Sequence, residues 1–236
     1  MDKSRKKFSD VERPMIVESA IDSLFKDEGK LALDELVLKR KLTLDVIRKF
    51  KLGYCPADIE HQLNGRIITP IYDAYNELIA VSTRHLDREH WQRFWHESFD
   101  KSFFLYGLNN AIESIVKGKA AILVEGEFDV LALHSHGFDQ TVGISGSAPS
   151  VHHMSQLSRY CTDFFICFDG DRGGESARNR ISKLRKKYCT DDAYEMNFFN
   201  VILPDGYDPD EYINEFGAKS FRQLLINAKN AKLGFI

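Results

Sequence analysis

The segment AAILVEGEFDVLALHSHGFDQTVGI, residues 120–144, decides the fold. It opens with five apolar residues, continues with a helical pattern that stops at Gly137, and returns to a short β-branched run. The alternation goes on downstream, with apolar segments at 163–169 and 196–203. Apolar strands that alternate with helices predict an α/β fold in which a central, mostly parallel sheet is flanked by helices.

The upstream half has a different pattern. Residues 14–51 show apolar residues at helical spacing, with a helix cap predicted at Thr43. GRIITPIYD at 65–73 and ELIAVSTRHLD at 77–87 are typical of a strand pair, and helix is predicted again at 107–117. The predicted domains are a flexible tail at 1–13, a lobe of helices and strands at 14–117, the sheet domain at 118–204 and a helical segment at 205–236 that completes the core.

Acidic side chains follow three of the predicted strands, and the carboxyl ends of parallel strands meet at one edge of a sheet. Clustered carboxylates repel one another unless cations lie between them, and Mg²⁺ or Mn²⁺ suits oxygen ligands. The candidate metal ligands are Glu125, Asp129, Asp169, Asp171, Asp208 and Asp210. A single Asp-x-Asp turn is weak support, and Asp208-Pro209-Asp210 is also typical of a helix start. An EF-hand is excluded because Arg180 stands where its bidentate Glu would be.

Composition excludes several classes of protein. The chain has 236 residues and a formal net charge of -3, so overall charge indicates no anionic partner. It has no apolar run long enough to cross a membrane and no secretory signal. Its four cysteines are scattered, so we expect reduced thiols, a cytoplasmic location and no zinc site.

Two further patterns have alternative interpretations. The basic segment at 172–188 is either a solvated helix face or a surface that tracks phosphates, and the first is favoured. The aromatic residues Trp91, Phe94, Trp95 and Phe99 either stack on single-stranded bases or pack in a core, and their helical spacing favours the core. The segment at 143–147 is predicted to be a tight loop beside the acidic residues, and His152 and His153 to be structural.

Three downstream segments together resemble the TOPRIM domain of bacterial and phage DnaG-type primases. They are ILVEGEFDVLALHSHGFDQTVGISGSA, FFICFDGDRGGESARNR and ILPDGYDPDEYI. Upstream, ALDELVLKRKLTLDVIRKFKLGYCP, GRIITPIYDAYNELIAVSTR and KSFFLYGL resemble the helical opening, the basic strand pair and the Lys-to-LYGL segment of the primase RNA-polymerase core. The Glu and Asp-x-Asp pattern is shared with topoisomerases and small nucleases. The LPDGYDPDEY element and the three upstream segments are specific to primases.

The resemblance implies roles for individual residues. Glu125, Asp169 and Asp171 would be catalytic carboxylates and metal ligands, with Asp129, Asp208 and Asp210 forming the rest of an acidic rim. The residues implied to bind template and nucleotide phosphates are Arg66, Arg84, Arg93, Lys101 and Arg172.

The activity implied by the resemblance is template-directed synthesis of short RNA primers on single-stranded DNA, from ribonucleoside triphosphates and with Mg²⁺ or Mn²⁺. The sequence has no Cys/His set for the family's zinc-binding domain and no Walker A motif. We therefore expect a core without zinc-binding and helicase-binding domains, a phage or mobile-element source, and as partners a replicative helicase and a separate zinc-binding or template-recognition protein. The alternatives are a TOPRIM metal-dependent nuclease, a haloacid-dehalogenase-type phosphatase and a non-catalytic protein that binds single-stranded DNA.

Overall fold

The chain folds into two compact units, residues 1–99 and 100–236. The structure is a computed structural model that describes residues 7–57, 62–146, 148–170, 179, 181, 183 and 196–231. The boundary between the units lies earlier than the predicted one at 117/118, because the helix over 108–118 packs on the second unit's own strands. In the part of the chain that is described, no helix is both long enough and apolar enough to cross a membrane.

The first unit is built on an antiparallel sheet. Its strands are β1 (Gly53–Cys55), β2 (Arg66–Tyr72), β3 (Leu78–His85) and β4 (Phe94–His96), in that spatial order. The predicted strand pair is confirmed as β2 and β3, whereas β1 and β4 were not predicted. Each of these two strands has only three residues, too few for an alternating pattern to be recognised.

Helices precede this sheet, as predicted for 14–51. The α-helices are α1 (Glu12–Leu24), α2 (Lys30–Asp34) and α3 (Leu44–Lys49), with a 3₁₀ turn at Asp27–Gly29 and a π-helical turn at Glu35–Lys39. Thr43 caps α3 as predicted, because its side chain accepts the Val46 N–H at 3.3 Å.

The prediction that residues 1–13 form a flexible tail is wrong for residues 8–13. Phe8 is buried, and its ring lies 5.9 Å from that of Trp95. Arg13, inside α1, forms a buried ion pair with Glu97 at 2.9 Å. Phe8 and Arg13 are buried by residues that lie far away in the sequence, so the polar composition of the N-terminus did not reveal that they are buried.

The aromatic residues at 91–99 do not form the core stripe that their spacing favoured. Trp95 packs in the core with Val17, Ile68 and Val81. Phe94 is exposed because it begins β4, where successive residues face opposite sides, and Trp91 is exposed in the connection that precedes this strand. The segment forms a connection and a strand instead of a helix, and this corrects the prediction.

The second unit confirms the α/β fold with a parallel sheet. Its strands are β5 (Ala120–Val124), β6 (Thr141–Gly143), β7 (Asp163–Ile166) and β8 (Asn197–Asn200). The spatial order is β6-β5-β7-β8, and every neighbouring pair is parallel. All four strands lie inside apolar segments recognised in the sequence, and β5 is almost fully buried.

The helices of this unit are α4 (Leu108–Gly118), α5 (Glu127–Ser135), α6 (Val151–Leu157) and α7 (Pro209–Asn230), preceded by a 3₁₀ turn at Lys101–Phe103. Gly217 interrupts α7 with φ 78°, so the helical segment predicted at the C-terminus consists of two helices joined across a kink. The basic segment at 172–188 lies almost entirely outside the described residues.

Candidate active site

Two strand ends bring acidic residues together at one edge of the parallel sheet. Leu123 in β5 pairs with Ile166 in β7, so Glu125 and Asp169 leave neighbouring strands at the same level. The Asp169 N–H donates to Glu125 Oε1 at 3.3 Å. The Glu125 and Asp169 segments therefore lie side by side, and Glu125, Asp129, Asp169, Asp208 and Asp210 are called the acidic edge below.

Asp129 lies behind Glu125, in the first turn of α5. Its Oδ2 accepts the Gly126 N–H at 2.9 Å, which satisfies an otherwise unpaired donor at the start of the helix. A Cβ on Gly126 would lie 3.0 Å from Asp129 Oδ2, so glycine permits this close contact. Burial raises the pKa of the Asp129 carboxyl well above its ordinary value, and the charges of Asp208 and Asp169 raise it further.

The segment 204–210 folds against the other acidic residues. Gly170 N–H donates to the Tyr207 carbonyl at 3.0 Å, and a Cβ at Gly170 would lie only 2.5 Å from the Pro204 carbonyl oxygen. The Asp210 N–H donates to Asp129 Oδ1 at 3.3 Å. The segment 204–210 is therefore attached through backbone groups to Gly170, which follows Asp169, and to Asp129.

Asp208 and Asp210 also have structural roles. Asp208 is the N-cap of α7, and its Oδ1 accepts the Glu211 N–H at 2.7 Å with Pro209 at the start of the helix. Asp210 is buried, and its Oδ1 accepts a hydrogen bond from Asn214 Nδ2 at 2.7 Å. The interpretation of Asp208-Pro209-Asp210 as a helix start is confirmed.

Lys101 places a cation beside the loop that follows β6. Its Nζ donates to the Ser145 carbonyl at 2.8 Å. The next residue, Gly146, donates its N–H to the Glu125 carbonyl at 2.8 Å. The segment 143–146 thus lies beside the acidic edge, as predicted.

Arg66 does not line a groove, and this corrects the expectation for it. Only 3% of the residue is exposed. Its guanidinium donates to the Gln92 carbonyl at 2.6 Å and to the Arg93 carbonyl at 3.3 Å. Burial lowers the pKa of Arg66. Arg66 therefore holds the end of the β3–β4 connection.

Arg84 and Arg93 are half-buried, and both contact the ring of Phe94. The distances from the guanidinium carbon to the ring centroid are 5.2 Å for Arg84 and 5.5 Å for Arg93. They lie in the first unit, whereas Lys101 lies in the second. Asp171 and Arg172 lie outside the described residues.

The acidic edge fits a hard divalent cation by its chemistry. It gathers carboxylate groups, which are the ligands such a cation prefers, and after burial the neighbouring charges of Asp208 and Asp169 help to raise the pKa of Asp129. Within the described ranges, which omit Asp171, no three His, Cys, Asp or Glu side chains are already arranged as a complete metal site.

Sequence reasoning missed the contacts that hold Lys101 in place. His153 is fully buried, its Nε2 contacts the Lys101 carbonyl at 2.9 Å, and its Nδ1 accepts the Ser150 N–H at 3.3 Å. Tyr106 bridges Gly143 through two backbone hydrogen bonds of 2.8 and 3.0 Å. The signal for His153 in the sequence is Ser150. A serine at the N-cap of a helix is expected to bond with the third residue of that helix, and here the third residue is His153.

Comparison with known proteins agrees with this fold. A family model described as Toprim-like matches residues 122–213, which contain the whole acidic edge. A DNA primase of Rickettsia typhi is 33% identical over 171 residues, covering 71% of this chain and 28% of the relative. The chain spans about a third of the length of the curated relatives it matches.

Two solved structures extend the likeness over both units. The zinc-binding and RNA polymerase domains of Aquifex aeolicus primase align with a TM-score of 0.78 and 27% identity, covering 94% of this chain and 62% of that one. A DnaG primase catalytic domain bound to single-stranded DNA aligns with a TM-score of 0.83 and 23% identity, covering 92% and 80%. The chain thus contains a Toprim-like domain within a primase-type core. The curated DNA primases are therefore homologues of this chain over most of its own length.

Proposed function

We propose that this chain synthesises short RNA primers on single-stranded DNA by metal-dependent nucleotidyl transfer. The observation that carries the proposal is the acidic edge, where Glu125 and Asp169 are joined by a hydrogen bond of 3.3 Å in a fold of the primase core. Relatives of both units are named DNA primase, and one of similar fold binds single-stranded DNA.

The reaction forms one P–O bond and breaks another. The 3′-hydroxyl oxygen of the growing primer attacks the α-phosphate of an incoming ribonucleoside triphosphate, the hydroxyl proton passes to solvent water, and pyrophosphate departs with the bonding electrons of the α–β bridge. Mg²⁺ or Mn²⁺ at the acidic edge would lower the cost of losing that proton and offset the charge of the phosphates.

The chain's own residues would position these groups. We assign Glu125, Asp169 and Asp171 as metal ligands, with Asp129, Asp208 and Asp210 as the surrounding acidic rim. Backbone hydrogen bonds fix Asp129 against both Gly126 and Asp210, so the rim needs little rearrangement when a cation binds. Lys101 would neutralise nucleotide phosphates, because it binds the Ser145 carbonyl and the next residue, Gly146, contacts Glu125. The cations that would contact phosphates of the template or nucleotide are Arg84, Arg93 and Arg172.

Further partners belong to the same proposal. The relative from Aquifex aeolicus has a zinc-binding domain beside its polymerase domain. We propose that a zinc-binding or template-recognition protein acts with this chain in selecting where primers begin, and that a replicative helicase is a further partner.

The proposal predicts that Glu125→Gln abolishes primer synthesis with little loss of stability. Glutamine keeps the size of the side chain but removes the charge that a divalent cation requires. The matched control is Glu113→Gln, which removes an exposed carboxylate from α4 and should leave synthesis unchanged. Incorporation of labelled ribonucleotides on random single-stranded templates, with Mg²⁺ or Mn²⁺, is the measurement.

The same incubation separates synthesis from cleavage. Labelled single-stranded DNA with Mn²⁺ but no nucleotides should remain intact, whereas a nuclease would shorten it. Ribonucleotide incorporation by a folded Glu125→Gln protein would overturn the assignment of this carboxylate.

A further inference from the structure

Side chains of one helix, α6, and its cap bind three successive carbonyl groups of the 3₁₀ turn at Lys101–Phe103. The residues that make these contacts are spaced three apart along the chain, so neighbouring members lie on the same side of the helix. The contacts are Ser150 Oγ to the Ser102 carbonyl at 2.6 Å, His153 Nε2 to the Lys101 carbonyl at 2.9 Å, and Gln156 Nε2 to the Phe103 carbonyl. Ser150, His153 and Gln156 are called the α6 contacts below.

The contact made by His153 is fixed on both sides of the ring. His153 is fully buried, and its Nδ1 accepts the Ser150 N–H at 3.3 Å, so Nε2 carries the proton and donates to the Lys101 carbonyl. The Ser150 hydroxyl accepts the His153 N–H at 3.1 Å in return. A buried imidazole with both nitrogens bound holds the Lys101 backbone in one place.

The Lys101 side chain connects this turn to the acidic edge. Its Nζ donates to the Ser145 carbonyl at 2.8 Å, and the N–H of the next residue, Gly146, donates to the Glu125 carbonyl at 2.8 Å. Ser145 is buried and has φ 52°, in the left-handed region that few residues other than glycine adopt. Both the backbone of Lys101 and the carbonyl that its ammonium group meets are therefore held in defined positions.

We propose that the α6 contacts position Lys101 so that its ammonium group meets the phosphates of an incoming ribonucleoside triphosphate. Lysine has a long, flexible side chain, and fixing its backbone in advance reduces the conformational entropy that is lost when the phosphates bind. The α6 contacts are positioning residues, since they act through Lys101. The inference rests on the proposed function, which gives Lys101 its role with the nucleotide.

The test measures the equilibrium affinity of the whole chain for ATP with Mg²⁺ by isothermal titration calorimetry. Lys101→Met should weaken binding roughly 10- to 150-fold, the range expected for one lost hydrogen bond to a charged group. His153→Leu should weaken it at least about fivefold, because the cation is then misplaced. His153→Gln keeps an N–H donor for the Lys101 carbonyl and should recover most of that loss.

A double variant separates positioning from a general structural role. If His153 acts through Lys101, His153→Leu combined with Lys101→Met should weaken ATP binding no more than Lys101→Met alone. Independent effects would add instead. Gln156→Leu, which leaves His153 in place, should weaken binding in the same direction, and it takes the place of His153→Leu in this cycle if that variant does not fold. Ser155→Ala, on the exposed side of α6, is the matched control and should bind ATP normally.

Three results would overturn the inference. They are absence of ATP binding by the wild type, unchanged ATP affinity in folded His153→Leu and Gln156→Leu variants, and losses that add in the double variant. Ribonucleotide incorporation together with additive losses would refute the positioning role alone. A chain in which the losses do not add but which incorporates no ribonucleotide would refute the proposed function and leave this inference standing.

Discussion

The ion pair between Arg13 and Glu97 is buried on both sides, with side-chain exposures of 4% and 0%. Glu97 also accepts the N–H groups of Phe8 at 2.9 Å and Val81 at 3.2 Å, so one carboxylate joins the N-terminal segment, α1 and β3. The contact with Glu97 raises the pKa of Arg13, which therefore stays charged. Taking a charge out of water is costly, so the pair must remain complete.

Arg13→Met should consequently destabilise the protein by about 3–5 kcal/mol, because it leaves the Glu97 carboxylate buried without its cation. Adding Glu97→Gln to that variant should recover part of the loss, since the remaining buried group is then neutral. Urea unfolding followed by circular dichroism gives both values.

The pair of Lys39 and Glu35, in which the lysine side chain is 66% exposed and the glutamate side chain 14%, supplies a control that solvent reaches from one side. Lys39→Met should change the free energy of unfolding by no more than about 0.5 kcal/mol. Equal effects of Arg13→Met and Lys39→Met would show that burial does not decide the strength of the Arg13 pair.

At the scale of elements, α6 is attached to the 3₁₀ turn at Lys101–Phe103 through His153. Since Nε2 meets the Lys101 carbonyl, which can only accept, and Nδ1 accepts the Ser150 N–H, the ring must be neutral. Burial lowers the pKa of His153 below its ordinary value. As the pH falls through the ordinary histidine pKa, the unfolded chain gains a proton that the folded chain resists, so stability decreases.

The stability of the wild type should therefore fall between pH 7 and pH 5 more steeply than that of His153→Gln, by at most about 1.36 kcal/mol per pH unit. The measurement is urea unfolding across this range, read as the difference between the two proteins. The difference removes other titrating groups, such as His85, from the comparison. Parallel curves for the two proteins would contradict a neutral, buried His153.

Some of these elements could be predicted from the sequence and others could not. The strands of the parallel sheet lie in apolar segments whose length and flanking glycines distinguish them from helices, so acidic residues were expected at their carboxyl ends. Strand β4 could not be predicted, because its three residues are too few to show the alternating pattern of a strand. The aromatic residues around it also have the spacing that is typical of a helix. The burial of Arg66 depends on carbonyls that lie 26 and 27 residues away, which no local pattern reveals.

For the molecule as a whole, charge distribution matters more than net charge. The formal net charge of -3 gives no general attraction to nucleic acid, while the second unit gathers five carboxylates at one sheet edge. A Toprim-like domain alone is compatible with nuclease chemistry as well. The likeness of the first unit to primases is what favours primer synthesis over cleavage in the proposed function.

Because the acidic edge repels itself without a cation, Mg²⁺ should raise the melting temperature of the whole chain at matched ionic strength. Binding at a hundredfold excess over Kd adds about 2.7 kcal/mol, and each kcal/mol corresponds to roughly 2–4 °C in a chain of this size. Glu125→Gln should lose most of that shift, and Glu113→Gln, with the same change in charge on exposed α4, should keep it. Differential scanning calorimetry with and without Mg²⁺ measures all three proteins. Identical shifts in the three would mean that the ion acts through general screening, and the acidic edge would then not be the place where it binds.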